Sequence, residues 1–284
     1  MEEFDLFGNP IERKKTIKER YIITPFSILD GNSGDWKDRL NRWKKLDIKS
    51  EIGRSKDLSF NKGLEKYMPN YTNTSIFDPV LCEIMYYWFC PINGKILDPF
   101  AGGSVRGIVA SYLDYNYTGI DIRQEQIDSN IEQAQNIIPN KIPNWICGDS
   151  NKVLDSINEK FDLIFSCPPY ADLEVYSDLE DDISNMPYDK FLELYRSIVK
   201  KSCDKLKPGG YACFVVGEVR DKRGNYIGFV PDTIKAFQDS GVHFYNEFIF
   251  KERGLFSAAF RVNNNMRNKK NVKIHQNVLV FKKD

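Results

Sequence analysis

From Lys95 onward the chain alternates short β-prone apolar runs with helix-patterned stretches, and this alternation restricts the possible folds more than any other feature. The apolar runs are Lys95 to Asp98, Thr118 to Asp121, Trp145 to Cys147, Phe161 to Ser166, Tyr211 to Val216, His243 to Phe250 and Asn277 to Phe281. Helical patterns separate the first six: Ser104 to Leu113, Gln124 to Ile137, Asn151 to Ile157, Tyr188 to Leu206 and Pro231 to Ser240. A helical crossover brings the next strand back in the same direction, so these strands form a mostly parallel sheet. The fold class is therefore α/β, with seven strands. No helix is read between the last two strands, which are expected to form an antiparallel pair at an edge. Ligands of such sheets bind beyond the carboxyl ends of the strands.

Composition narrows the function classes by exclusion. Lys plus Arg and Asp plus Glu both number 40 in 284 residues, so no whole-chain charge points to nucleic acid and only local charge can. The six cysteines, Cys82, Cys90, Cys147, Cys167, Cys203 and Cys213, show no CxxC, and there are two histidines. Neither a metal site nor a disulfide framework is expected, and reduced thiols in a cytoplasmic setting are the default. The start Met1-Glu2-Glu3 is acidic, unlike a signal peptide. The most apolar stretch, Val80 to Ile92, carries Glu83 and is too short to cross a bilayer.

Residues 1–73 read as an N-terminal extension and 74–284 as the main domain. The extension has one clear helix from near Asp35, with Trp36, Leu40, Trp43 and Leu46 on one face and Lys37, Arg39, Arg42, Lys44 and Lys45 on the others. That basic face, continued by Lys49, Arg54 and Lys56, is either a solvated surface or a phosphate contact. Asp78 can cap a following helix, with Pro79 at its favoured first position.

The strand ends carry the chemistry. The first strand runs into Asp98-Pro99-Phe100-Ala101-Gly102-Gly103-Ser104, a glycine turn directly before a helix, where backbone can pass close to a ligand. It is neither GxGxxG nor a phosphate loop, so dinucleotide and ATP sites are disfavoured. Asp121, followed by Ile122, ends the second strand and can accept both hydroxyls of a ribose. Gly148-Asp149-Ser150 ends the third, where Asp149 can accept from an exocyclic amine. The fourth ends in Ser166-Cys167-Pro168-Pro169-Tyr170: the prolines force a rigid exit from the sheet, and Tyr170 offers a flat face to a planar molecule.

Two of these stretches resemble the S-adenosylmethionine-dependent DNA amino-methyltransferases, which methylate cytosine N4 or adenine N6. Asp98 to Ser104 looks like their DPFxGSG cofactor loop, and Ser166 to Tyr170 looks like their [DNS]PP[YFW] catalytic motif. More loosely, the whole chain resembles solitary phage or prophage methylases that lack a partner restriction nuclease. The resemblance implies a Rossmann-like class I methyltransferase fold with S-adenosylmethionine as cofactor and double-stranded DNA as partner. It implies a cofactor site of Phe77, Asp78, Pro79, Asp98, Pro99, Phe100, Ala101, Gly102, Gly103, Ser104, Asp121, Ile122, Gly148, Asp149 and Ser150. It implies a catalytic set of Ser166, Cys167, Pro168, Pro169 and Tyr170, and a monomer or homodimer working without metal. In this reading a flipped base stacks on Tyr170, while Cys167 and the Pro168 carbonyl hold its amine in line with the methyl group.

Cys167 departs from the motif, whose first residue is Asp, Asn or Ser. Its closeness in shape to serine tilts the expectation toward cytosine N4 over adenine N6. Three alternatives stay open: an RNA base as acceptor, carbon-5 methylation with Cys167 as nucleophile, and a nucleic-acid-binding module without activity. The segment Lys251 to Lys273, with Arg253, Arg261, Arg267, Lys269, Lys270 and three consecutive asparagines, is the expected DNA-recognition element.

Overall fold

The computed structural model describes residues 15–48, 77–169, 186–221, 223–252 and 256–284. The described chain runs α1 (Ile17–Tyr21), β1 (Ile28–Asp30), α2 (Gly34–Lys44), α3 (Pro79–Phe89), β2 (Lys95–Asp98), α4 (Val105–Tyr112), β3 (Asn116–Asp121), α5 (Gln124–Ile137) and β4 (Asn144–Cys147). It continues with α6 (Ser150–Ser156), β5 (Phe161–Ser166), α7 (Tyr188–Lys205), β6 (Leu206–Val216), α8 (Phe229–Asp239), β7 (His243–Lys251), α9 (Phe256–Arg267) and β8 (His275–Lys282).

All eight strands lie in one sheet, in the order β1-β7-β8-β6-β5-β2-β3-β4. Every pairing is parallel except those of β8, which is antiparallel to both of its neighbours, β6 and β7. The carboxyl ends of β2 to β7 therefore share one edge of the sheet. Side chains alternate between two buried faces. Ile96, Phe165, Val215 and Val280 point toward α2, α3, α4 and α5, whereas Leu97, Ile164, Phe214 and Phe281 point toward α6, α7 and α8.

Three details differ from the sequence reading. The sheet has eight strands instead of seven, because the N-terminal stretch supplies β1, which pairs with the outer side of β7. β7 and β8 are the expected antiparallel pair, but α9 stands between them in the chain. Its sequence does carry apolar residues at helical spacing, Phe256, Ala259 and Phe260, but the sequence reading took the segment as a basic loop. Arg39, read as part of a basic face, instead lies half-buried in an ion pair with Glu83 of α3 at 2.5 Å.

The expected stripe of α2 packs inward. Trp36, Leu40 and Trp43 are buried, Ser33 caps the helix, and the Trp43 indole N–H donates to Glu83 at 2.9 Å. Trp36 stacks on Phe250 of β7 at 5.1 Å between ring centroids and donates its indole N–H to Asp78 Oδ2 at 3.1 Å. Asp78 is the N-cap of α3, its Oδ1 accepting the Val80 and Leu81 N–H groups at 2.8 and 3.4 Å. Trp36 thus fixes the start of α3, next to Phe77. Among the described residues, no helix is long and apolar enough to cross a membrane.

Candidate active site

The centre of the carboxyl edge is a buried carboxylate. Asp98, at the end of β2, has no exposed surface and accepts four hydrogen bonds, which saturates its lone-pair sites. Oδ1 takes the Ser166 hydroxyl at 2.5 Å and the Phe100 N–H at 3.2 Å. Oδ2 takes Arg106 Nε–H at 2.6 Å and the Tyr117 hydroxyl at 2.8 Å. The glycine turn after β2 and the proline motif after β5 therefore converge on one side chain.

Arg106, in the first turn of α4, is the cation at this carboxylate and is itself buried. It also donates to the Phe100 and Ala101 carbonyls at 2.5 and 2.8 Å, and its guanidinium carbon lies 4.8 Å from the centroid of the Phe77 ring. Burial works against its charge, but the adjoining Asp98 carboxylate outweighs burial and raises its pKa. Burial, then Asp98, pushes the Tyr117 phenol well up, so it remains a neutral donor. With its four acceptor sites taken by the protein, Asp98 shapes the turn.

The turn itself is pinned from α5 and β3. Gly102 adopts a left-handed backbone at φ 51°, which a glycine takes without strain. Its N–H donates to Asp121 Oδ2 at 3.0 Å, and its carbonyl accepts from Asn130 Nδ2 at 2.8 Å. Gln126 donates to Asn130 at 3.0 Å, and the Ser104 hydroxyl donates to Gln133 at 3.1 Å. Asp121 also accepts the Arg123 N–H at 2.9 Å. Across the next strand end, Gly148 N–H reaches the Asp121 carbonyl at 2.9 Å, Asp149 caps α6, and the Ser150 hydroxyl donates to the Pro99 carbonyl at 2.5 Å.

Burial divides the expected site residues into two groups. Asp78, Asp98, Pro99, Ala101, Ser104, Ser150, Ser166 and Pro168 are buried. Phe77, Pro79, Phe100, Gly102, Gly103, Asp121, Ile122, Gly148, Asp149, Cys167 and Pro169 keep part of their surface open. Apart from Phe77 and Pro79 at the start of α3, the open group follows the edge across the ends of β2, β3, β4 and β5. Tyr170, Arg253 and the cations Lys49, Arg54 and Lys56 lie outside the described residues. The sequence reading missed Arg106, Tyr117, Gln126, Asn130 and Gln133. The α5 residues did leave a signal, since Gln126, Asn130 and Gln133 recur at helical spacing on the face that also carries Ile127 and Ala134.

No protein-family model matches the chain. Over 188 residues it is 28% identical to a release factor glutamine methyltransferase of Clostridium botulinum, a match covering 62% of this chain and 65% of that protein. Over 134 residues it is 36% identical to a protein of the same description from Fusobacterium nucleatum, covering 43% and 37%. The chain thus spans less than two thirds of the length of the curated relatives it matches. Among solved structures, TrmN from Thermus thermophilus aligns with a TM-score of 0.51 at 14% identity, over 78% of this chain and 53% of that one. The fold is the Rossmann-like fold of S-adenosylmethionine-dependent methyltransferases.

Proposed function

We propose that the protein transfers a methyl group from S-adenosylmethionine to the exocyclic amine of a base in DNA, cytosine N4 ahead of adenine N6. One observation carries the reading: the Ser166–Asp98 hydrogen bond, 2.5 Å long, draws the Ser166-Cys167-Pro168-Pro169 motif against the glycine turn. Donor-side and acceptor-side elements then meet at one edge, as transfer between two bound molecules requires. The open residues fit the cofactor. Gly102 and Gly103 allow close approach of its methionine part, and the half-buried Asp121 and Asp149 suit its ribose hydroxyls and adenine amine.

When bound, the cofactor supplies a sulfonium methyl that already carries its leaving group. The protein's part is positioning and exclusion of water. Cys167 and the Pro168 carbonyl orient the amine nitrogen, whose lone pair forms the new N–C bond as the C–S bond breaks, and the surplus amine proton passes to solvent. Tyr170 supplies the stacking face. Cys167→Ser should preserve transfer and Cys167→Ala should lower it by about 10- to 100-fold, the scale of one lost orienting contact. A covalent DNA adduct that disappears with Cys167→Ser would replace amine chemistry by carbon-5 chemistry.

The two relatives favour a second acceptor, the side-chain amide of a glutamine in a protein, because both are named for that reaction. Either acceptor is a planar NH2 group, so the same motif suits both. Incubation with methyl-labelled cofactor, followed by mass spectrometry of nucleosides from DNA and RNA and of peptides from a release factor, separates them. N4-methylcytosine or N6-methyladenine in DNA is the expected product. Label confined to a glutamine, or to RNA, overturns the DNA assignment.

A further inference from the structure

Two amides lie fully buried on the face of α5 that meets the glycine turn. Gln126 and Asn130 have no exposed surface, and each makes hydrogen bonds with both ends of its amide. Arg123 Nη2 donates to Gln126 Oε1 at 2.9 Å, Gln126 Nε2 donates to Asn130 Oδ1 at 3.0 Å, and Asn130 Nδ2 donates to the Gly102 carbonyl at 2.8 Å. Both ends of this relay return to Asp121. Arg123 gives Asp121 Oδ1 its backbone N–H at 2.9 Å and an ion pair at 3.7 Å, and the Gly102 N–H donates to Asp121 Oδ2 at 3.0 Å. A closed ring of polar contacts thus holds the peptide on either side of the Gly102 Cα.

The ring has a direction, and Arg123 sets it. A guanidinium can only donate, so Gln126 must turn its oxygen toward Arg123 and its NH2 toward Asn130. Asn130 must then accept with its oxygen and donate its NH2 to Gly102. Covering a sheet asks only for apolar side chains at such positions, whereas buried amides cost free energy unless they are paired. The peptide unit is planar and trans, so fixing the Gly102 carbonyl also aims the Gly103 N–H in the opposite direction, away from Asn130. Gly102 and Gly103 are half-buried at the carboxyl edge, as is Asp121 beside them. One relay therefore ties the backbone expected to meet the cofactor's methionine part to the carboxylate expected to meet its ribose.

Resting on the cofactor placement proposed above, we infer that Gln126 and Asn130 are positioning residues for S-adenosylmethionine. Through the direction of their hydrogen bonds they hold the Gly102–Gly103 peptide and Asp121 in the arrangement that receives it. The test is titration calorimetry of the full-length protein with S-adenosylhomocysteine near neutral pH, which needs no methyl acceptor. Gln126→Glu keeps the size of the side chain and its bond to Arg123, but a carboxylate cannot donate. Asn130 then turns its NH2 to the new carboxylate and its oxygen to the Gly102 carbonyl. Affinity should fall by about 10- to 100-fold, the scale of a buried acceptor left without its donor. Gln126→Met removes the polar groups but leaves Asn130 able to donate to Gly102, so affinity should change by less than about 3-fold. Asn130→Asp takes away the last donor directly and should match Gln126→Glu, which keeps the inference testable if one variant does not fold. Circular dichroism and urea unfolding check the folding of each. Gln126→Glu or Asn130→Asp, folded and binding as wild type while Asp121→Ala binds weakly, overturns the inference alone. A loss in Gln126→Met as large as in Gln126→Glu also overturns it, because packing would then account for both. Asp121→Ala binding as wild type, or wild-type protein that does not bind, overturns the cofactor placement and the inference with it.

Discussion

Arg106 shows how much one buried side chain can organise. It joins Asp98, two turn carbonyls and the Phe77 ring, and Asp98 in turn holds Ser166. Arg106→Met would leave a buried carboxylate without its counter-ion, at a cost of about 3–5 kcal/mol, measurable by urea unfolding. Arg106→Lys keeps the charge but cannot span Asp98 and both carbonyls, so it should fold and lose cofactor affinity, as titration calorimetry would record. Thiol chemistry is also set residue by residue. Burial pushes the Cys90 and Cys203 thiols up to about 12, and those of Cys82 and Cys213 are also raised well above the ordinary range by burial. A raised pKa leaves less reactive thiolate, roughly one part in ten thousand at pH 8 for a group near 12. In the native protein the exposed Cys147 should therefore alkylate well before these four, as peptide mass spectrometry would show. Alkylation of Cys90 or Cys203 at a rate matching Cys147 would contradict the packing.

At the scale of elements, α2 links the sheet to α3. Trp36 bridges Phe250 of β7 and the cap of α3. Its removal by Trp36→Ala should cost about 3–5 kcal/mol, the range for a large buried aromatic. Phe77 adjoins that cap, so cofactor affinity should fall with it. Trp36→Phe retains the stacking and loses only the indole bond to Asp78, for which a loss nearer 1 kcal/mol is expected in the same unfolding measurement. The stripe of α2 and the Asp78 cap were legible in the sequence, since both depend on residues within a turn or two of each other. The ion pair of Arg39 with Glu83 and the indole bond of Trp36 to Asp78 were not, because their partners lie on another helix.

Across the molecule, the sheet ends on one side at β4 and on the other at β1, a strand of three residues from the N-terminal stretch. Without residues 15–48, β7 would become an open edge and the Trp36 contact on Phe250 would be bared. Such a truncation should associate or precipitate in size-exclusion chromatography, since an uncovered strand edge pairs with other chains. Periodicity in the sequence determined the α/β class, the order of strands and helices from β2 to β7, and the glycine and proline turns at the strand ends. Those features arise from dihedral limits and from spacing within single elements, so they act before any long-range contact forms. Packing decided the rest: β1 beside β7, α9 inserted between β7 and β8, and Arg106 beside Asp98. Each depends on which distant groups a buried charge or an open strand edge finds once the sheet has closed around it.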